Sequence, residues 1–308
     1  MISLGHKART RPGQATLLAL AWSTTLLIST LPNIIWQEFI GAPPAGLFWT
    51  KIVLLAALIC LTFVWYVVRP LRPYFAIFLF LYLAEEALGR LGTTSLWQSW
   101  FGGIDVSFTT EMLGIQLRRL AIAVIVIAML LLMYRRRSDF FLVKGQLDAP
   151  ARPIRWLGMA RPASWSRFGW ILTLCISLGL LAFLVLAGRP TVNTLVQALP
   201  FLPVVLILAA MNAFSEEMNY RAALLAPLHG VVGRQQALLL TAAFFGLGHF
   251  YGVPYGVIGV IMAGFLAWLL GKSMLETKGF FWAWFIHFWQ DVFIFSFMAM
   301  GSISAGGS

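Results

Sequence analysis

The stretch SEEMNYRAALL, residues 215–225, sets Glu216, Glu217 and Arg221 in otherwise apolar sequence. Ionised side chains within hydrocarbon are costly and mark function by default. The chain has four histidines, His6, His229, His249 and His287, so none lies between residues 7 and 228. His249 and His287 each sit in a separate apolar segment downstream of the glutamates, and Asp291 follows His287 by four residues. An acid with an imidazole can deprotonate a water for attack on a carbonyl and then protonate the leaving amine. A second imidazole with its partner can hydrogen-bond the developing oxyanion. Hydrolysis of an amide is the chemistry such a set offers.

Helical spacing sorts these residues. Glu217 and Arg221 stand i,i+4 and share a face, while Glu216 points ~100° away. This predicts a buried Glu217–Arg221 ion pair and leaves Glu216 to face a cavity. Phe245 and His249 share the i,i+4 spacing, as do His287 and Asp291. Phe245 reads as packing that fixes the ring of His249. If helices end near 228 and restart near 235, Glu216 and His249 lie ~18 Å and ~21 Å from the shared turn, at similar depth. Blander readings fit single groups: a structural ion-pair cluster, a satisfied core histidine, a helix-stabilising His–Asp pair. Asn219 and Tyr220 either line the cavity or pack between helices, and His229, after Pro227 and beside Gly230, reads as a helix-end residue. The pattern of two acids and an arginine also occurs in AEEALGRL, residues 84–91. With no nearby histidine, Glu85, Glu86 and Arg90 read as an interfacial i,i+4 pair and not a second site.

The elements that must present these groups are membrane helices. Of 308 residues, 60% are hydrophobic and only 11% charged, with mean hydropathy +0.85, whereas soluble domains carry about 25% charged residues. The expected fold is all-α, a polytopic transmembrane bundle of about eight or nine spans of ~20 residues each. Candidate spans are 15–36, 47–68, 74–91, 119–134, 169–188, 197–228, 235–250, 256–272 and 279–300, with 92–117 as an outer interfacial loop. The first reads as a retained anchor and not a cleaved signal, because it is long and lacks a clean small-residue cleavage site. The expected organisation is an N-terminal half over 1–134, a basic loop over 135–167 and a C-terminal half over 168–301.

The net charge of +11 is concentrated at segment ends. Residues 135–167 hold eight Arg/Lys against Asp139 and Asp148, and Lys7, Arg9, Arg11, Arg69 and Arg72 flank other spans. Such excess marks cytoplasmic loops and permits attraction to anionic lipid. No recognition motif accompanies it, so nucleic acid is not expected as a partner. The N-terminus, the loop 135–167 and the turn 229–234 are expected inside and the C-terminus outside. Cys60 and Cys175 lie in apolar runs without metal-ligand or redox spacing and read as small core residues.

Three motifs now stand in order: EEMNYR (216–221) as EExxxR, FGLGH (245–249) as FxxxH and HFWQD (287–291) as HxxxN/D. Together they resemble the CPBP family, the CAAX protease and bacteriocin-processing (Abi-type) membrane endopeptidases, over about 195–293. The resemblance implies a glutamate-type intramembrane endopeptidase. Glu216 and His249 would activate water, His287 and Asp291 would stabilise the oxyanion, and Glu217 and Arg221 would hold the glutamate helix. An ionised Asp291 cannot donate to an oxyanion. The implied substrate is a membrane-associated protein or peptide, processed at a CAAX-type end or a leader, in a bacterial plasma membrane. No cofactor is expected; a zinc alternative would draw on Glu216, His249 and His287. Two other function classes fit the same residues: a proton- or cation-coupled transporter using the intramembrane acids, and an inactive peptidase-like immunity or scaffold protein.

Overall fold

A computed structural model describes residues 13–103 and 106–306. The expectations for His6 and the basic tail at Lys7, Arg9 and Arg11 fall outside the described residues. Among the described residues the fold is all-α apart from one antiparallel pair of two-residue strands, and the chain divides into two units, the first up to Leu79 with Pro227–Phe265, the second Phe80–Ala226 with Leu266–Ser308.

The first unit holds α1 (Gln14–Ile28), α2 (Leu31–Phe39), α3 (Leu47–Val64) and the start of α4 (Arg72–Gly92). The single anchor expected over 15–36 is instead broken, with α1 and α2 meeting at 49°. Pro32 in the first turn of α2 cannot donate to the preceding turn, and Ser29 Oγ takes the Leu31 amide at 3.1 Å instead. Lys51 of α3 seals this break: its Nζ donates to the Ser29 carbonyl and to Asn33 Oδ1, each at 2.7 Å.

Also in this unit, α11 (Arg234–Gly248) lies against α1, tied by Trp22 Nε1 to Gln236 Oε1 at 2.9 Å. Phe244 of α11 also packs on Phe78 of α4, ring centroids 4.9 Å apart, and a third neighbour is the first half of α12 (Val257–Thr277). A Cβ on Gly246 would come within 2.6 Å of the Val260 carbonyl oxygen and 3.1 Å of Gly264 Cα. Small residues thus let the two backbones approach, as in membrane helix pairs. The span expected over 235–250 is corrected here. With 15 residues, α11 rises only ~22 Å against a ~30 Å hydrocarbon core.

The second unit contains the rest of α4, α5 (Ser95–Phe101), α6 (Phe108–Tyr134), α7 (Trp165–Gly188), α8 (Val192–Ala198), α9 (Leu202–Glu217), the start of α10 (Ala223–Leu228), the end of α12 and α13 (Phe281–Gly306). Segment 92–117, expected as a loop, is largely helical. The cause is an N-terminal signal at Ser107, whose Oγ accepts the Thr110 amide at 3.2 Å, with Glu111 in the first turn. This capping starts α6 eleven residues before the expected position 119. Met112, Val205, Leu208, Ala209, Val292 and Phe295 form a core where α6, α9 and α13 meet. The pairings Asn212–Asp291 and Glu217–His287 make α13 antiparallel to α9, and Met112 beside Val205, Leu208 and Ala209 followed by Arg119 beside Asn212 and Glu216 makes α6 parallel to it.

The basic loop is folded onto the α12–α13 turn. Gln146 donates its amide to the Thr277 carbonyl and Phe280 donates to the Val143 carbonyl, both at 2.8 Å. Only glycine fits on both sides, since a Cβ on Gly145 would lie 2.6 Å from Gly279 Cα, and Gly145 has φ +78°. The antiparallel pair of β1 (Pro150–Ala151) with β2 (Ala163–Ser164) delivers Trp165, whose Nε1 reaches Glu276 Oε2 at 2.9 Å. Among the described residues, seven helical stretches are long and apolar enough to cross a membrane, or eight if the bent α1–α2 pair counts as one span. The chain is an integral membrane protein.

Candidate active site

Helix α9 does not end cleanly at the two glutamates. Met218–Ala222 form a π-helical turn before α10 resumes. Such widened turns within α-helices are frequent at functional sites. Here the turn carries Tyr220 and Arg221, and Glu216 and Glu217 stand immediately before it.

Glu217 and Arg221 form the buried ion pair expected from their spacing, both side chains fully inaccessible to solvent. The same carboxylate oxygen, Glu217 Oε1, lies 2.6 Å from His287 Nδ1. Holding Nδ1 this way fixes the ring of His287 and turns its Nε2 toward two other carboxylates, Glu216 Oε2 at 3.7 Å and Asp291 Oδ2 at 3.6 Å. An imidazole oriented by a carboxylate at one nitrogen presents the other nitrogen for chemistry. Glu216, Glu217, Arg221, His287 and Asp291 are therefore brought together; of these contacts only Glu217–Arg221 and His287–Asp291 follow from helical spacing.

His249 and Phe245 lie in the first unit. His249 caps α11, just past its last residue. Its Nδ1 lies 2.9 Å from the Phe245 carbonyl oxygen, and the two rings sit 4.3 Å apart. With Nδ1–H donated to the backbone, the basic nitrogen is Nε2. Phe245 acts as expected, as the wall against which the imidazole rests.

Two site residues escape the sequence reading. Arg119 of α6 donates from Nη1 to Glu216 Oε1 at 2.8 Å and to Asn212 Oδ1. Asn212, one turn before Glu216 on α9, donates from Nδ2 to Asp291 Oδ2 at 3.0 Å. The signal for Arg119 is present as Arg118–Arg119 in apolar surroundings, but a helix taken to start at 119 makes both arginines look terminal. Asn212 carries no sequence signal beyond its i,i+4 relation to Glu216.

The second acidic pair divides. Glu86 and Arg90 form the expected exposed i,i+4 pair at 2.7 Å. Glu85 instead accepts a hydrogen bond from Tyr220 at 2.7 Å, so it braces the π-turn from α4. His229 is an exposed residue at the end of α10, as expected.

No group of three or more His, Cys, Asp or Glu side chains among the described residues is arranged as a metal-holding cluster. Comparison with curated proteins and with solved structures gives no match. A family model does match, described as Rce1-like, type II CAAX prenyl endopeptidase Rce1-like, over residues 197–293, about one third of the chain. The matched segment runs from the end of α8 to Phe293 in α13, and it contains all three motifs that carry the glutamates and histidines. Residues 197–293 are thus similar to the Rce1-like family, consistent with a CPBP family intramembrane protease.

Proposed function

We propose that the chain is a glutamate-type intramembrane endopeptidase that hydrolyses a peptide bond in a membrane-associated protein or peptide, at a CAAX-type end or a leader. The observation that carries this reading is the carboxylate–imidazole cluster of Glu216, Glu217, His287 and Asp291, inside the segment that matches the Rce1-like family. A bacterial plasma membrane with the N-terminus on the cytoplasmic side is the proposed setting.

In the proposed mechanism Glu216 takes a proton from water as the water oxygen bonds to the scissile carbonyl carbon. His249, supplied by the FxxxH motif with Nδ1 tied to a carbonyl, shares the proton at Nε2. The carbonyl π-electrons move onto oxygen, and His287, held as an imidazolium with Nδ1–H on Glu217, donates its Nε2–H to that oxyanion and keeps both protons throughout. On collapse the C–N bond breaks and the held proton passes to the leaving amine, leaving a new carboxylate and a new amino terminus. Glu217 and Arg221 are structural, keeping the glutamate helix and the His287 ring in place. No step requires a metal.

The test is a comparison of peptide termini in the membrane proteomes of cells carrying wild type, Glu216→Ala or His249→Ala. Either substitution should remove the general acid–base contribution of about 10²–10⁴-fold while the chain still accumulates. Unchanged termini in both variants would remove the basis for the reading.

A further inference from the structure

An oxyanion needs hydrogen-bond donors, and the side chain beside His287 is an acid. An ionised carboxylate accepts only. Asn212 resolves this conflict. Its Oδ1 accepts from Arg119, which can only donate, and its Nδ2 donates to Asp291 Oδ2 at 3.0 Å. These two neighbours fix which way the amide points, because a guanidinium must face the oxygen and an ionised carboxylate the nitrogen. Asn212 is 4% exposed, so the amide is held in a site where such bonds are strong.

Asp291 Oδ2 also lies 3.6 Å from His287 Nε2. As an imidazolium, with Nδ1–H on Glu217, His287 carries a second proton at Nε2, and that nitrogen and the Asn212 amide then face one carboxylate oxygen from 3.6 Å and 3.0 Å, on the side an oxyanion would approach. Nδ2 carries two hydrogens and spends one on Asp291, which leaves the other for an incoming oxygen. Glu216, the proposed base, stands one helical turn from Asn212, and Arg119 Nη1 contacts both side chains.

We propose that Asn212 is a catalytic residue, donating its amide N–H to the oxyanion alongside His287, and that Asp291 is the positioning residue that aims this amide. The inference rests on the peptidase reading above. It gives the acid at 291 a role that needs no proton on its carboxyl group, and it places the oxyanion donor on the helix that carries the base.

The experiment compares wild type, Glu216→Ala, Asn212→Ala, Asp291→Asn and the exchange pair Asn212→Asp with Asp291→Asn. Each chain is expressed in cells, and the rate at which Glu216-dependent termini appear in the membrane proteome is normalised to chain abundance. Asn212→Ala should lose about 10²–10³-fold, the usual effect of deleting one oxyanion donor. Asp291→Asn should lose less than Asn212→Ala, since the new amide's oxygen still accepts from Asn212 Nδ2 but aims it less firmly than a carboxylate. The exchange pair retains one amide hydrogen-bonded to one carboxylate, and so it should accumulate normally and cleave far faster than Asn212→Ala, with the amide now supplied from 291. Wild-type rates in Asn212→Ala, or an exchange pair that accumulates yet is as slow as Asn212→Ala, would overturn the inference. Inactivity of Asp291→Asn at normal abundance would also overturn it, by showing that the charge at 291 acts directly. If wild type and Glu216→Ala give the same termini, the peptidase reading itself fails, an outcome separate from the others.

Discussion

Arg119 Nη1 lies 2.8 Å from Glu216 Oε1, so a cation from outside the family-matched segment 197–293 holds the carboxylate proposed to act as base. Charge-assisted hydrogen bonds contribute about 1.5–3 kcal/mol, and a misplaced base costs rate even when it survives. Arg119→Ala is expected to slow cleavage by about ten- to hundred-fold, since about 1.36 kcal/mol is one factor of ten. Chain abundance should fall less than for a wholly buried pair, because the Arg119 and Glu216 side chains keep solvent access at 46% and 13%, whereas Arg221 and Glu217 have none. Lysine at 119 should restore much of the rate, since a single nitrogen, Nη1, makes both bonds and an ammonium reaching the same point can donate to Asn212 and Glu216. Cleavage rate per chain in membranes checks this; equal rates for Arg119→Ala and wild type would show that Glu216 needs no such support.

Arg221 tests stability instead of rate. It and Glu217 are wholly buried, and removing one member of a buried pair costs about 3–5 kcal/mol by stranding the other. Arg221→Ala should therefore accumulate poorly in membranes. Replacing both, Arg221→Met with Glu217→Leu, should recover abundance. It should not recover cleavage, because His287 then loses the carboxylate 2.6 Å from its Nδ1. Quantifying chain and cleavage together separates the two effects, and an active double variant would mean that His287 does not depend on Glu217.

Much of the site was legible because helical periodicity fixes which side chains can meet within one helix. Glu217 with Arg221 and Phe245 with His249 follow from i,i+4 spacing alone. His287 with Asp291 shares the spacing, yet its closest partner is Glu217 on another helix. Contacts between helices depend on rotation and offset that no single-helix pattern encodes, which is why the partners of Arg119, Asn212 and the Glu85–Tyr220 bond are not legible in the sequence, even though Arg119 itself stands out there. The fold class followed from composition, since an 11% charged chain has few alternatives to a membrane bundle. Span limits were harder. Pro32 breaks the first helix, Ser107 begins α6 early, and α11 is shorter than hydropathy alone implies.

The loop and the α12–α13 turn should share one side of the membrane. Gly145 packs on Gly279 backbone to backbone, and two amide–carbonyl bonds join the segments, so residues 135–167 and Lys278 cannot face opposite compartments. The excess of basic residues in the loop favours the cytoplasm. Single cysteines at Arg136 and Lys278, both exposed, can be placed in a chain freed of Cys60 and Cys175 by alanine. Both should resist a membrane-impermeant thiol reagent in intact cells and react after permeabilisation. Labelling of one but not the other in intact cells would contradict the packing, and labelling of both would reverse the orientation.

The last prediction concerns metal dependence. A zinc site built from Glu216, His249 and His287 would need Glu216 as a ligand, with the metal–oxygen distance near ~2.0–2.2 Å. Glu216 Oε1 already faces the Arg119 guanidinium at 2.8 Å, so a divalent cation bound there would sit against a fixed positive charge. Glu217 is committed to Arg221 and His287, and the two histidines lack the HExxH spacing that offers both imidazoles from one helix. The contact of His287 Nδ1 with Glu217 would suit a metal ligand's outer partner, but it equally suits an imidazole aimed at an oxyanion. The expected outcome is that purified protein cleaves at an unchanged rate after EDTA or phenanthroline and carries no stoichiometric transition metal by elemental analysis. Arg119→Ala supplies the contrast: if repulsion by this guanidinium keeps cations out, the variant should bind zinc more tightly than wild type in a titration followed by metal content. Stoichiometric zinc in wild type, with cleavage lost on chelation and restored on adding zinc back, would replace the water-activating glutamate by a metal-bound hydroxide.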